Sequence, residues 1–394
     1  MRNSEIVIAI LFHDSDRFYS GGTRSMVDLL NYWKDDQNLS LVAVFPSEGS
    51  AVDYVRTLSI PVIVTTYFNN KKSIGIKGIP YFCEMAKYTI KMIINKFNVD
   101  NKIIPQLQKY NVDIIYANTS VNFIGIWIKN KIHKPLVWHF RESIEHNQFA
   151  DMWGGMKRFY KNVNRYTDKV IFNSNALKQV YGENIQKQLI EVVYDDISPL
   201  FINPIKTVKD NECINILIAG FVDVPKGQLT VVKAINRVIN KGLNQVHLYI
   251  AGHGNIEYIK EIKEYVNQEQ IQNNVHLLGD VENINELRKK MDIGVVATKF
   301  EAFGRVSIEG MLSKMAMIGA NCGATPELYK DGQYGLLYTW NDDQELAEKI
   351  EFLCKNKLEW INLCEDGFTY GVSFTEGNGA LKIKDLLVSL KCNK

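Results

Sequence analysis

Two glutamates, Glu301 and Glu309, stand eight positions apart in KFEAFGRVSIEGML (299–312), with Phe303, Gly304 and Arg305 between them. Paired carboxylates can do acid/base work or hydrogen-bond sugar hydroxyls, and a guanidinium between them suits the geometry of phosphate. IGVVATKF reads as a strand and its exit, Gly304 as a tight turn, and RVSIEGMLSK as a helix. Glu301 then lies in the loop, and Glu309 about one and a half turns inside the helix. Backbone N–H groups from Phe303 through Gly304 to Val306 would point out of the helix N-terminus, where they can hold a leaving phosphate. By spacing alone the plainer reading also stands: Glu301 caps the helix and Glu309 is solvated.

Three further strand exits carry candidate chemistry. In HDSDRFYSGGTRSMVDLL, Gly21 and Gly22 precede a helix, so a phosphate or sugar can approach the backbone and the positive end of the helix dipole. Asp14 and Asp16 in the same loop form a D-x-D, but two carboxylates are too few for a metal cage without phosphate oxygens, and no metal is expected. AGFVDVPKGQLTVVKAI places Lys226 at a helix start, where it can neutralise a diphosphate, although no P-loop pattern is present. IAGHGNIEY shows Gly252 and Gly254, but a third glycine would fall at Glu257, which argues against a dinucleotide site.

The elements that must position these residues are short, near-continuous apolar runs, as expected of strands buried on both faces of a parallel sheet: IVIAILF, LVAVF, VIVTT, DIIYAN, LVWHF and KVIFNS, then INILIAG, VHLYIAG, VHLLG, IGVVAT and MIGAN. Helical segments such as TRSMVDLLNYW and GQLTVVKAINRVIN separate them, so each half reads as a β-α-β series and the chain as two doubly wound α/β domains around a cleft. A length of 394 residues fits two such domains. The join is expected in ISPLFINPIKTVKDNE, giving domains over 1–205 and 206–375, with a helix over 376–394 packing back on the first.

Apolar residues make up 46% and charged ones 23%, and the formal charge is +2, so nothing in the total calls for a nucleic-acid partner. Six cysteines without regular spacing read as reduced, mostly packed thiols in a cytoplasmic protein. The N-terminal apolar run is too short and wrongly flanked for a signal peptide, and no run is long enough to span a bilayer. Locally the balance shifts: residues 66–110 hold eight lysines against Glu84 and Asp100, interleaved with aromatic and aliphatic residues, as a surface resting on anionic membrane would. A solvated lysine face is the alternative.

The stretch EAFGRVSIEGMLSKMAMIGANCGATPELYKDGQYGLLY (301–338) resembles the E-x7-E segment of retaining GT-B glycosyltransferases of family 4, the group 1 glycosyl transferases. The Gly21-Gly22 pair, VWHFRE (137–142), FNSNALKQVY (172–181), Lys226-Gly227 and LGDV (278–281) extend the likeness over nearly the whole chain. The resemblance implies that Glu309 hydrogen-bonds the nucleotide ribose, Glu301 lies near the transferred sugar, and Lys226 neutralises the donor diphosphate. His139 would lie near the sugar, Gly21, Gly22 and Arg141 on the phosphate and acceptor side, and Gly279 to Val281 beside the base. No cofactor or metal is implied, because lysine, arginine and a helix dipole supply the positive charge.

Two departures stand out. The family usually has an arginine after the glycine that ends the first strand of the second domain; here Phe221 follows Gly220. Arg305 is the candidate to replace that cation, since its fork can bind phosphate through two N–H groups. VVYDDIS also stands where Asn-Gly is common, putting Asp195 and Asp196 near the expected diphosphate. The implied reaction moves a hexose from a nucleotide-diphosphate sugar, UDP-linked rather than GDP-linked, to a hydroxyl with retention. The acceptor class that suits the basic surface is a polyprenyl-diphosphate-linked saccharide at the inner face of the cell membrane, in surface polysaccharide assembly. The alternatives are a nucleotide-sugar epimerase of the same architecture and an inactive sugar-nucleotide-binding scaffold.

Overall fold

The computed structural model describes residues 5–16, 20–73, 79–144, 146, 150–203 and 213–392. The chain divides into two units, Met1–Asp196 with Gly377–Lys394, and Ile197–Glu376. It leaves the first unit shortly before the expected boundary at 205/206, which lies outside the described residues.

The first unit contains β1 (Ile6–Leu11), β2 (Leu39–Phe45), β3 (Val62–Val64), β4 (Lys71–Ser73), β5 (Ile114–Asn118), β6 (Leu136–Phe140), β7 (Ala150–Met152), β8 (Lys169–Phe172) and β9 (Ile190–Val192). Seven of these make a parallel sheet in the order β3-β2-β1-β5-β6-β8-β9, and β4 pairs with β7 antiparallel. IIYAN and LVWHF are buried at every position, which is why these strands read as near-continuous apolar runs. The helix Gly21–Trp33 starts at Ser20, whose Oγ accepts from Thr23 N at 3.3 Å.

The core of this unit also takes in Ala380, Ile383 and Leu387 of the last helix, Asn378–Cys392. Trp33 Nε1 donates to Ala380 O at 3.1 Å. The Asp196 carboxylate accepts from the amides of Gly379 and Ala380 at 3.2 and 2.6 Å, satisfying donors that the helix cannot satisfy itself.

The second unit contains β10 (Ile214–Ala219), β11 (Val246–Ala251), β12 (Val275–Gly279), β13 (Ile293–Val296), β14 (Ala316–Ala320) and β15 (Leu336–Tyr338), all parallel, in the order β12-β11-β10-β13-β14-β15. In each sheet the order reverses once, between β1 and β5 and between β10 and β13. In open α/β sheets ligands bind beyond the carboxyl ends of the strands at that reversal.

The six cysteines are free, but only Cys364 is fully buried, and Cys83, Cys213 and Cys392 are exposed rather than packed. Cys83 lies in the helix Ile79–Asn98, Cys213 just before β10, and Cys392 at the end of the last helix; their scattered spacing carries no signal of depth.

Candidate active site

In the second unit, Lys226 follows β10 and Glu301 follows β13, the two strands at the reversal. Their side chains meet at 3.8 Å, both partly open to solvent. Two glycines allow the loops to close this far. Gly227 has φ +71°, and a Cβ there would lie 2.5 Å from the Ala297 carbonyl oxygen; Gly323 has φ +58°, and a Cβ there would lie 2.5 Å from both N and O of Glu301. Backbone bonds lock the approach, from Lys299 N to Pro225 O and from Ala324 N to Glu301 O, each 2.8 Å. A lysine and a carboxylate are thus fixed side by side where a diphosphate sugar could reach both.

Gly304, at φ +101°, turns the chain into the helix Arg305–Met311. Ser307 N and Ile308 N bond back to Gly304 O at 2.9 and 3.4 Å, closing the first turn of the helix. Phe303 itself is buried, its ring 6.1 Å from that of Phe374. The solvated reading of Glu309 fails: its residue is 0% exposed. One carboxylate oxygen is held by Arg288, also buried, and the other lies 3.4 Å from a terminal nitrogen of Arg305. The Arg288 guanidinium in turn lies over the Phe201 ring, 5.6 Å from its centroid. Nothing in the sequence singled out Arg288, which sits in a lysine-rich surface-like run, LRKK; only the fold turns it inward.

Gly220, Gly252 and Gly279 stand at the carboxyl ends of β10, β11 and β12. Gly252 N donates to Gly279 O at 2.7 Å, Gly220 N to Ala251 O at 2.9 Å, and Val222 bridges Gly254. The glycines of IAGHGN therefore serve close packing of neighbouring strand exits, in keeping with the absence of a dinucleotide fingerprint. Phe221 is 49% exposed and edge-on to His253, whose Nδ1 lies 2.6 Å from Asp280, just before Val281.

In the first unit, a buried polar chain crosses from β1 to β6. Asn118, ending β5, donates to Gly22 O at 3.0 Å and accepts from Arg141 Nε at 2.8 Å. Arg141 also pairs with Asp195 and donates to His139 Nδ1 at 3.1 Å, while Tyr116 OH donates to the same nitrogen at 2.6 Å. A guanidinium can only donate, so Nδ1 accepts and the His139 proton sits on Nε2, which has no hydrogen-bond partner among the described residues. Burial, then the Arg141 charge, holds the imidazole well below its usual pKa, so it stays neutral.

Arg141, expected on the phosphate loop, is instead 7% exposed and committed to Asp195, Asn118 and His139. The same pairing accounts for VVYDDIS: Asp195 neutralises Arg141, and Asp196 caps the last helix. Burial raises the Asp196 carboxyl to about 6.

Sequence reasoning missed His13 and Glu142. Asn118 Nδ2 lies 3.4 Å from His13 Nδ1, and Ser20 Oγ lies 3.1 Å from Nε2. Burial first, then Lys71 and Arg141, lower the His13 pKa to about 3. Glu142 accepts from both N and Oγ of Ser120, at 2.8 and 2.7 Å, and desolvation pushes its carboxyl up to about 7. Position after a strand was the only signal for either. Asp14 folds back on its own loop, accepting from the amides of Ser15 and Asp16 at 2.7 and 3.2 Å. Among the described residues no three His, Cys, Asp or Glu side chains gather as a metal ion would need.

Residues 213–356 match the family model described as Glycosyl transferases group 1. An uncharacterised glycosyltransferase of Methanocaldococcus jannaschii is 25% identical over 317 residues, 78% of this chain and 82% of that one. An uncharacterised 41.2 kDa protein in the cps region of Klebsiella pneumoniae is 28% identical over 201 residues, 48% of this chain and 52% of its own length. Among solved structures, Anabaena HepE in complex with UDP and glucose superposes with a TM-score of 0.76 at 20% identity, covering 97% of this chain and 99% of that one. The fold is the GT-B arrangement of two Rossmann-like domains, and together with the group 1 domain it supports a GT-B glycosyltransferase.

Proposed function

We propose that the protein is a retaining family 4 enzyme that moves a hexosyl unit from a nucleotide-diphosphate sugar, UDP-linked in preference to GDP-linked, to a hydroxyl acceptor. The observation that carries this is the meeting of Lys226 and Glu301 at 3.8 Å on the β10/β13 reversal. In this reading Lys226 binds the diphosphate and Glu301 the sugar hydroxyls. Glu309 takes the ribose through the oxygen on the Arg305 side, since Arg288 occupies the other. The base lies by Gly220, Gly279 and Val281, with Gly304 and Val306 beside the phosphates. In the first unit, His139 offers Nε2–H to the sugar, and Gly21 and Gly22 serve the acceptor side, with Arg141 acting through Asn118 on the Gly22 carbonyl.

As the bond from the anomeric carbon to the diphosphate oxygen breaks, the acceptor oxygen bonds to that carbon on the same face. The acceptor proton passes to the departing phosphate. The charge growing on that phosphate is what fixed cations stabilise most, and each such contact is typically worth about 2.7 to 4 kcal/mol. Lysine and arginine supply this charge without a metal or cofactor. Arg305 replaces the cation missing at Phe221: its contact with Glu309, at 3.4 Å, is long enough for a diphosphate to compete.

The acceptor assigned is a polyprenyl-diphosphate-linked saccharide at an anionic membrane on the cytoplasmic side, within surface polysaccharide assembly. The relative named for a cps region supports that setting. Turnover of a panel of UDP- and GDP-hexoses with lipid-linked acceptor, for wild type and Arg305→Ala, tests the reading. Sugar transfer with retention is expected, slowed at least tenfold by the substitution. Binding without transfer would favour a scaffold, for which exposed Phe221 is the motive; conversion of the donor hexose itself would favour an epimerase; and normal turnover in Arg305→Ala would remove that residue from the phosphate site.

A further inference from the structure

The helix Ile79–Asn98 of the first unit keeps its polar anchors on one side. Asn95 bonds the Phe68 backbone in both directions, at 2.8 and 2.9 Å, and Asn98 donates to Thr66 O at 2.7 Å. Tyr88 stacks on Trp153 with ring centroids 4.0 Å apart. The opposite side is open and apolar: Phe82, Ile90, Ile93 and Phe97 are 66%, 57%, 63% and 59% exposed, with exposed Ala86 between them. A helix on the surface of a globular protein ordinarily turns its apolar stripe to the core and its polar face to water. Here the pattern is reversed.

The stripe residues recur at spacings of three and four, so they stay along one side of the helix, and the charges beside them say what kind of surface would cover this face. At about 100° per residue the stripe spans roughly 80°, with Lys96 roughly 40° off one edge and Lys87 roughly 60° off the other. Lys91 lies beyond Lys87 and also covers the Phe68 ring at 5.4 Å. Glu84 is the sole acid in the helix, and it lies away from the stripe, 3.4 Å from Lys87. Among the described residues no helix is long and apolar enough to cross a membrane.

We propose that the Phe82-Ala86-Ile90-Ile93-Phe97 stripe lies in the plane of an anionic bilayer, its side chains entering the boundary between headgroups and acyl chains while flanking lysines meet lipid phosphates. The proposal rests on the membrane-borne acceptor of the reading above and narrows that contact to one helix face.

Flotation of the full chain with phosphatidylcholine vesicles, with and without phosphatidylglycerol, tests it. Wild type should float with the anionic vesicles alone and be released by high salt. Ile90→Ser/Ile93→Ser should lower the partition constant more than tenfold, since each isoleucine loses its burial in the boundary. Lys87→Ala/Lys96→Ala should lower it roughly fivefold per lysine. All changed positions are exposed, and UDP affinity, read in parallel by calorimetry, should stay at the wild-type value in both variants. Loss of UDP binding by wild type would count against the donor reading and leave flotation to judge the membrane. Wild type that ignores anionic vesicles, or a serine variant that floats as well as wild type, would overturn the proposal. A concentration-dependent dimer abolished by the serine pair, with vesicles ignored, would assign the face to a second copy instead.

Discussion

Replacing Arg288 with methionine should cost the second unit about 3–5 kcal/mol, the usual penalty for removing one partner of a buried ion pair. Arg288 and Glu309 have side chains 2% and 1% exposed, so neither charge can fall back on water when the other is lost. Arg305, at 3.4 Å, is too distant to compensate fully. The paired variant Arg288→Met/Glu309→Met removes both charges and fills similar volume, which is often neutral or stabilising. A double-mutant cycle should therefore show coupling of about 3 kcal/mol or more, far above the ~1 kcal/mol of an exposed pair. Hydrogen exchange of the slowest amides across 305–320, followed by mass spectrometry on the full chain, reads it. At about 1.4 kcal/mol per decade, Arg288→Met should speed exchange by roughly two to four orders of magnitude, and the double variant much less. A single-variant effect below about 1 kcal/mol, or a double variant costing the sum of the two singles, would refute the argument. Loss of UDP affinity in the double variant, with stability kept, would separate the ribose role of Glu309 from its structural one.

Asp196→Ala should destabilise the first unit by about 1–2 kcal/mol and loosen the helix Asn378–Cys392, because two amides at its start lose their acceptor; limited proteolysis near Glu376 and a lowered urea midpoint would report it, and an unchanged midpoint would not fit. His13 is held neutral, with its folded pKa depressed to about 3 by burial, Lys71 and Arg141. The unfolded chain binds that proton near 6.5, so this contribution is complete above about pH 6.5 and is lost as pH falls toward 3, with a slope of at most about 1.4 kcal/mol per pH unit. His13→Asn should flatten the acid limb of stability against pH by up to that slope between about pH 6 and 4; identical slopes in urea titrations would exclude a His13 held neutral by the fold. Arg305→Ala should slow sugar transfer at least tenfold in turnover with UDP- and GDP-hexoses, and normal turnover would not fit.

The parallel strands were legible because burial on both faces leaves near-continuous apolar runs such as IIYAN and INILIA, and the glycines and the E-x7-E spacing marked where the chain turns at strand ends. Lys226 and Glu301 were found separately; what the sequence could not state is that β10 and β13 are neighbours across a topological reversal, since that depends on pairing between segments far apart in the chain. The same reason hid Arg288, which looks like any surface arginine until its helix is set against Glu309. The pairing of Arg141 was not legible because an arginine after a strand carries the same prior whether it faces phosphate or a buried carboxylate, and Asp195, its partner, lies far along the chain. The antiparallel β4–β7 pair also went unread: three-residue strands with Lys71 and Lys72 offer neither alternation nor an apolar run.

The central claim is that the Lys226–Glu301 meeting point holds a nucleotide diphosphate. Calorimetric titration of UDP into wild type and Lys226→Ala tests it most directly. Wild type should bind, and the variant should bind roughly ten- to a hundredfold more weakly, as expected for one charge-assisted contact of about 1.5–3 kcal/mol. Equal affinity in the two proteins, or no binding of UDP or GDP by wild type, would contradict the account.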